Sequence, residues 1–89
     1  MQTLSPDDYL AVRVAVATCV CYRLDRDNTP ISDLAAYVQL LLRLHRDNPE
    51  ALTDIPDKPT LKDVLSFCAL QLSDVHPGSA SMLRAALDS

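Results

Sequence analysis

The apolar positions of the 89-residue chain fall into four segments separated by polar or proline-rich stretches. Residues 10–24 are apolar almost throughout, whereas residues 31–44, 61–75 and 82–87 carry apolar side chains at intervals of three and four. Such intervals are typical of an α-helix that buries one face. The pattern therefore predicts an all-α protein, a compact bundle of about four helices that forms a single domain over residues 1–89.

Side chains that can accept backbone hydrogen bonds mark the predicted helix starts. Ser5 and Thr29 each precede a proline, and a hydroxyl at the N-cap followed by proline at the first helical position is a favourable start. Thr60 and Asp63 form a variant of the capping box, and Ser79 is expected to cap a short terminal helix. The predicted helices span about residues 6–24, 30–47, 61–75 and 80–87.

The first apolar segment also fits a strand, because its apolar residues alternate and many of them are β-branched. A helix is preferred, since the start signal at Ser5 is explicit and no other segment offers a strand to pair with. A helix that is apolar nearly all round is normally surrounded by other helices, so we expect the first helix at the centre of the bundle. Ala11, Ala15 and Cys19 would let a neighbouring helix approach closely.

Residues 49–59 contain three prolines and no glycine. Proline leaves room for little more than one helical turn in this segment, and the absence of glycine argues against a flexible linker. We expect an ordered connection that Leu52 and Ile55 fix to the core.

The second helix carries more apolar surface than one packing partner would cover. Beside its core stripe it has a second one, formed by Tyr37, Leu40 and Leu44, so that the apolar arc is about 220° wide. Phe67 and Leu70 stand beside the core stripe of the third helix in the same way. These five side chains are the predicted partner-binding surface. The alternative is that the terminal helix covers the surplus on the second helix.

The charge balance opposes a role in nucleic-acid binding. Eight Lys and Arg residues against twelve Asp and Glu give a net charge of −4, whereas nucleic-acid binders carry a basic surface. A dimeric DNA-binding transcriptional regulator is retained as the alternative function. In that case Gln39, Arg43 and Arg46 on the second helix would supply the contacts to bases or phosphates.

The sequence offers no recognisable catalytic, cofactor or metal site. Gly78 is the single glycine, so the glycine-rich turns that usually accompany a nucleophile or a phosphate site are missing. The cysteines Cys19, Cys21 and Cys68 fit neither a disulfide scaffold nor zinc-ligand spacing. We expect reduced, mostly buried thiols, no enzymatic activity, and no cofactor or metal.

The first segment is too short and too polar to cross a bilayer, because Arg13, Thr18 and Arg23 interrupt it and about 20 apolar residues are needed. The N-terminus also lacks the basic start of a secretory signal. We therefore expect a cytoplasmic protein without a membrane partner. By elimination, and from the surplus apolar surface, the expected function is binding another protein or a second copy of this chain, as an adaptor, chaperone-like subunit, regulator or inhibitor.

Overall fold

The computed structural model describes residues 3–88 and confirms the all-α fold. Within that range the chain forms four α-helices and no strand longer than an isolated bridge. A short 3-10 turn, Arg26–Asn28, follows the first helix. The helices are α1 (Pro6–Leu24), α2 (Ile31–Asp47), α3 (Leu61–Leu72) and α4 (Pro77–Asp88).

Two of the predicted helix starts are confirmed. Ser5 Oγ accepts the Asp8 N–H at 3.1 Å at the start of α1. At the start of α3, Thr60 Oγ1 accepts the Asp63 N–H at 3.2 Å, and Asp63 Oδ2 accepts the Thr60 N–H at 3.3 Å. Each bond satisfies an amide that the helix itself leaves without a partner, which stabilises a helix by about 1 kcal/mol per cap.

The hydroxyl cap expected at Thr29 is wrong. Thr29 Oγ1 instead donates a hydrogen bond of 2.9 Å to the Asp25 carbonyl across the 3-10 turn. Pro30 is the N-cap of α2 and has no side-chain bond to offer. The Thr29 hydroxyl is therefore bonded to the Asp25 carbonyl of the preceding turn and does not cap α2.

The start of α4 also differs from the prediction. The helix begins at Pro77, and His76 Nδ1 accepts the Ser79 N–H at 3.3 Å, so the imidazole occupies the capping role expected of the Ser79 hydroxyl. Pro77 is well placed at the first helical position, where no amide donor is required. Helix α3 ends earlier than predicted, at Leu72, and α4 follows after a short turn.

The first helix is covered on one side only, which corrects its expected central position. Helices α2 and α3 each pack against the other three, whereas α1 packs against α2 and α3 and makes no contact with α4 within the described residues. Val12, Ala15 and Cys19 are buried on the inner face of α1, while Leu24 is 79% exposed. The expectation failed because an apolar pattern that continues around a helix does not tell which side its neighbours cover.

Helices α1 and α3 lie side by side and run in the same direction. Near the end of α1, Arg23 Nη1 donates a hydrogen bond of 3.1 Å to the Gln71 carbonyl and forms an ion pair with Asp74. Nearer its start, Arg13 Nε lies 3.4 Å from Oδ1 of Asp54, in the connection that leads into α3. The later residue of α1 therefore meets the later part of the α3 region, which fixes a parallel register between the two helices.

Candidate interaction surface

The structure places most of the predicted α2 surface against the core. Leu44 is only 5% exposed and belongs to the buried core, so its expected exposure is wrong. Tyr37 and Leu40 are half-buried and pack against the same core. The reason is that α2 contacts α1, α3 and α4, so the surplus apolar arc has three neighbours rather than one.

The two predicted residues of α3 are exposed. Phe67 is 43% and Leu70 is 64% exposed. Residues three apart on a helix lie on neighbouring turns of the same side. Phe67 and Leu70 therefore form a continuous apolar strip on the outer side of α3, separate from the half-buried pair on α2.

Phe67 borders an apolar groove of about 350 Å³ between α1, the connection and α3. Hereafter this feature is called the α1–α3 groove. Among the residues described, Asp63 is the one charged residue that lines it, and its Oδ2 accepts the Thr60 N–H of the capping box. The lining residues are Val16, Ile55, Pro59, Asp63, Val64 and Phe67.

Backbone hydrogen bonds hold the connection so that it forms one wall of the groove. The Thr53 N–H and Thr53 Oγ1 both donate to the Pro59 carbonyl, each at 2.8 Å. At the tip of the loop, the Lys58 N–H donates to the Ile55 carbonyl at 2.7 Å. Thr53 is buried, so its hydroxyl needs this bond. Ile55 and Pro59 are therefore presented to the groove from a cross-bonded loop.

Lys58 has a backbone φ of 47° and the preceding Asp57 one of 73°. This left-handed region is costly for residues other than glycine, by roughly 1–2 kcal/mol, although Asp tolerates it better than most. The turn between Ile55 and Pro59 is accordingly maintained by the hydrogen bonds around it rather than by its own backbone preference.

Two ion pairs join α1 to the connection and to the turn after α3. The Arg13–Asp54 pair ties α1 to the connection, and the Arg23–Asp74 pair ties it to the turn after α3. The Arg23 guanidinium beside Asp74 holds the pKa of that carboxyl below its usual range, and a backbone hydrogen bond acts in the same direction. Both pairs are solvent-exposed, so they orient these segments more than they stabilise the fold.

Sequence reasoning identified Phe67 but missed the other lining residues. Ile55 was expected to fix the connection to the core, which it does while one side of it remains in the groove. Val16 lies on a helix that is apolar all round, so no periodic signal marks its exposed side. The groove is formed by α1 and, about 40 or more residues later, by the connection and α3. The parallel register of α1 and α3 brings these distant parts of the chain together.

A second surface depression, of about 480 Å³, lies along the last turns of α2. It brings together the three residues of the DNA-binding alternative, Gln39, Arg43 and Arg46. Arg46 Nε is 3.2 Å from Oδ1 of the neighbouring Asp47, which offsets part of the positive charge. His45, Leu42, Pro49 and Ala86 complete the lining.

The cysteines divide into two environments. Cys19 and Cys68 are buried as expected, whereas Cys21 is exposed, which corrects the expectation for that residue. Two residues on a helix are about 200° apart, so Cys21 points away from the face that Cys19 buries. Between residues 3 and 88, no three His, Cys, Asp or Glu side chains are grouped so that they could hold a metal ion.

None of the helices described is both long and apolar enough to span a membrane. No protein-family model matches the chain, and no curated protein or solved structure shows significant similarity to it.

Proposed function

We propose that this protein is a small helical interaction module that binds a partner protein through the α1–α3 groove. The observation that supports the proposal most strongly is the open apolar groove itself, which has the 43% exposed Phe67 at its edge. Aromatic side chains that flank an apolar pocket are characteristic of the central residues of protein interfaces. Under this proposal the module acts as an adaptor, chaperone-like subunit, regulator or inhibitor, in the cytoplasm and without enzymatic activity.

The proposed occupant is an amphipathic helix of the partner that inserts one bulky apolar side chain into the groove. A groove between two helices fits the mode in which a helix lays its apolar face into a hydrophobic cleft. Within residues 3–88, Asp63 contributes the only carboxylate to the lining, and no Lys, Arg or His side chain lines it. Charge complementarity therefore favours Lys or Arg next to the apolar anchor on the partner helix.

The contribution of Phe67 to such binding can be bounded from its exposure. A phenylalanine of about 200 Å² that is 43% exposed has roughly 90 Å² left to bury. At about 25 cal/mol per Å², this burial is worth on the order of 2 kcal/mol. Loss of the ring should therefore weaken binding by at least about tenfold.

The test uses a phage-displayed library of amphipathic helical peptides as the probe. Peptides selected on the wild-type protein are titrated against Phe67→Ser and against Leu24→Ser, a control at the exposed end of α1. We expect an apolar anchor beside Lys or Arg in the selected peptides, and a loss of affinity in the Phe67 variant alone. Equal loss in both variants, or none in either, would contradict the proposal. Sedimentation of the free protein reports whether a second copy occupies the groove instead.

The second candidate function is the dimeric DNA-binding regulator, which is favoured by the convergence of Gln39, Arg43 and Arg46 on one depression. The net charge of −4 opposes it. Binding to duplex DNA that weakens steeply with added salt, and that is lost in Arg43→Gln, would support this function over the first.

A further inference from the structure

Cys19 and Cys68 lie at the same level of the parallel pair α1 and α3. Arg23, four residues after Cys19, bonds to the Gln71 carbonyl, and Gln71 is three residues after Cys68. The alignment of α1 with α3 that this bond fixes therefore places Cys19 and Cys68 at matching positions. Both side chains are 0% exposed and belong to the core. The two thiols are hydrogen-bonded to each other, so the buried side chains face one another.

Small side chains surround this point of contact. Ala15 lies one turn before Cys19 on α1, and Ala69 follows Cys68 on α3; both are buried. Small residues on both helices allow the backbones to approach closely. Close approach is what a disulfide requires, because its Cα atoms must lie within about 7 Å of each other.

We propose that Cys19 and Cys68 form an oxidation site, at which hydrogen peroxide converts the two facing thiols into an intramolecular disulfide that links α1 to α3. Cys21, on the exposed side of α1, is outside the site and stays unlinked. The proposal does not depend on whether the α1–α3 groove binds a partner.

The reaction is balanced by one peroxide molecule. The Cys19 thiolate attacks one peroxide oxygen, the O–O bond breaks, and a sulfenic acid and hydroxide form. Hydroxide takes the Cys68 proton, and the Cys68 sulfur attacks the Cys19 sulfur, so the S–S bond forms and the S–O bond breaks. The released hydroxide recovers the proton first lost by Cys19. Two thiols and one peroxide thus give one disulfide and two waters.

The environment assigns the two roles. A hydrogen bond from the Cys68 thiol to the Cys19 sulfur lowers the pKa of Cys19, while that bond and burial raise the pKa of Cys68. Cys19 is therefore the attacking thiol and Cys68 the resolving one. Because both thiols are buried, peroxide reaches them only through transient local opening of the packing around the pair, so the reaction is slow under native conditions.

The crosslink should stabilise the fold. A bond between residues 19 and 68 closes a loop of about 50 residues and restricts the unfolded chain accordingly. For a domain of this size we expect the thermal midpoint to rise by more than about 10 °C, and to return to its original value on reduction.

The experiment uses the Cys21→Ser protein, since residue 21 is exposed and the change leaves the core intact. After native treatment with peroxide, intact mass should fall by about 2 Da, and a non-reducing peptide map should contain the Cys19 and Cys68 peptides joined. The midpoint should rise as described. In wild-type protein treated in parallel, Cys19 and Cys21 share the tryptic peptide of residues 14–23, so fragmentation of the linked peptides should locate the bond at Cys19 and leave Cys21 as a free thiol.

The matched variant is Cys68→Ala in the Cys21→Ser background, which should lose the change in mass and the shift in midpoint. If that variant does not fold, the peptide map of the Cys21→Ser protein decides by itself, because Cys19 and Cys68 are its only thiols. The control is the urea-unfolded chain, treated with peroxide until its thiols are oxidised. If Cys19 and Cys68 stay unlinked in the native protein under the same treatment, the proposal is overturned. Oxidation confined to Cys21 would also overturn it.

Discussion

The second apolar stripe of α2 and the outer strip of α3 look alike in sequence but differ in the fold. Both consist of large apolar residues beside a core stripe. On α2, Leu44 is buried and Tyr37 is half-buried, whereas on α3 Phe67 and Leu70 are exposed. Surplus apolar surface on a helix therefore predicts that another surface will cover it. It does not predict whether that surface belongs to the same chain or to a partner.

The direction that each apolar surface faces explains the difference. Helix α2 is packed against three other helices, so its wide apolar arc is used within the fold. Helix α3 also meets three helices, but its outer strip lies beyond the connection and α1, where the α1–α3 groove opens. The first two predictions below compare a buried position with an exposed one, and the last two concern the contacts that hold the connection and the end of α1.

The largest effect is expected at Leu44. Replacement by Ala removes a buried side chain and leaves a cavity, which should lower the free energy of unfolding by about 2–5 kcal/mol. Leu70→Ala, at a 64% exposed position, should change it by less than about 0.5 kcal/mol. Urea unfolding of both variants gives the comparison. Equal effects would mean that Leu44 is not part of the core.

A smaller loss is expected at the buried thiols. Cys68→Ala should lower the free energy of unfolding by about 1–2 kcal/mol through a small cavity. The matched change Cys21→Ala, on the exposed side of α1, should be close to neutral. Chemical denaturation under reducing conditions measures both, and rapid labelling of all three thiols in the native state would contradict this division.

The connection should respond to loss of its buried hydroxyl. Thr53→Val keeps the shape of the side chain but removes the 2.8 Å bond to the Pro59 carbonyl. We expect a loss of about 1 kcal/mol of stability, since that carbonyl keeps its bond to the Thr53 N–H. Amide hydrogen exchange at Lys58 should accelerate in this variant. Unchanged exchange there would show that the hydroxyl does not hold the loop.

The smallest effect is expected at the exposed Arg23–Asp74 pair. Because the folded pKa of Asp74 is depressed below its ordinary value of 3.8, its contribution is present above that value and is lost as pH falls through the folded pKa. The thermal midpoint of the wild type should therefore be slightly higher than that of Asp74→Asn near neutral pH. In strong acid the two midpoints should be about equal. High salt should reduce the difference. A difference in midpoint that grows as the pH falls would contradict this prediction.

Local hydrogen bonding and periodicity made much of the fold predictable. The caps at Ser5 and Thr60 depend on partners three residues away, and the stripe of α3 is regular. The cap at Thr29 failed because a competing acceptor lay within the preceding turn. The prediction that α1 lies at the centre was wrong because its apolar residues continue around the helix and do not indicate which side is buried.

The candidate site was less predictable than the fold. Phe67 was recognisable as surplus apolar surface on a single helix. Val16 and Ile55 were not, since their role depends on how α1, the connection and α3 meet. That meeting involves residues far apart in the chain, as the pairs Arg13–Asp54 and Arg23–Asp74 show, whose members lie about 40 or more positions apart.

The most direct test of the central claim is the change in backbone amide chemical shifts when a selected amphipathic peptide is added to ¹⁵N-labelled protein. The claim predicts that the largest changes cluster at Val16, Ile55, Val64 and Phe67, which line the groove. Changes centred instead on Tyr37 and Leu40 of α2 would contradict it.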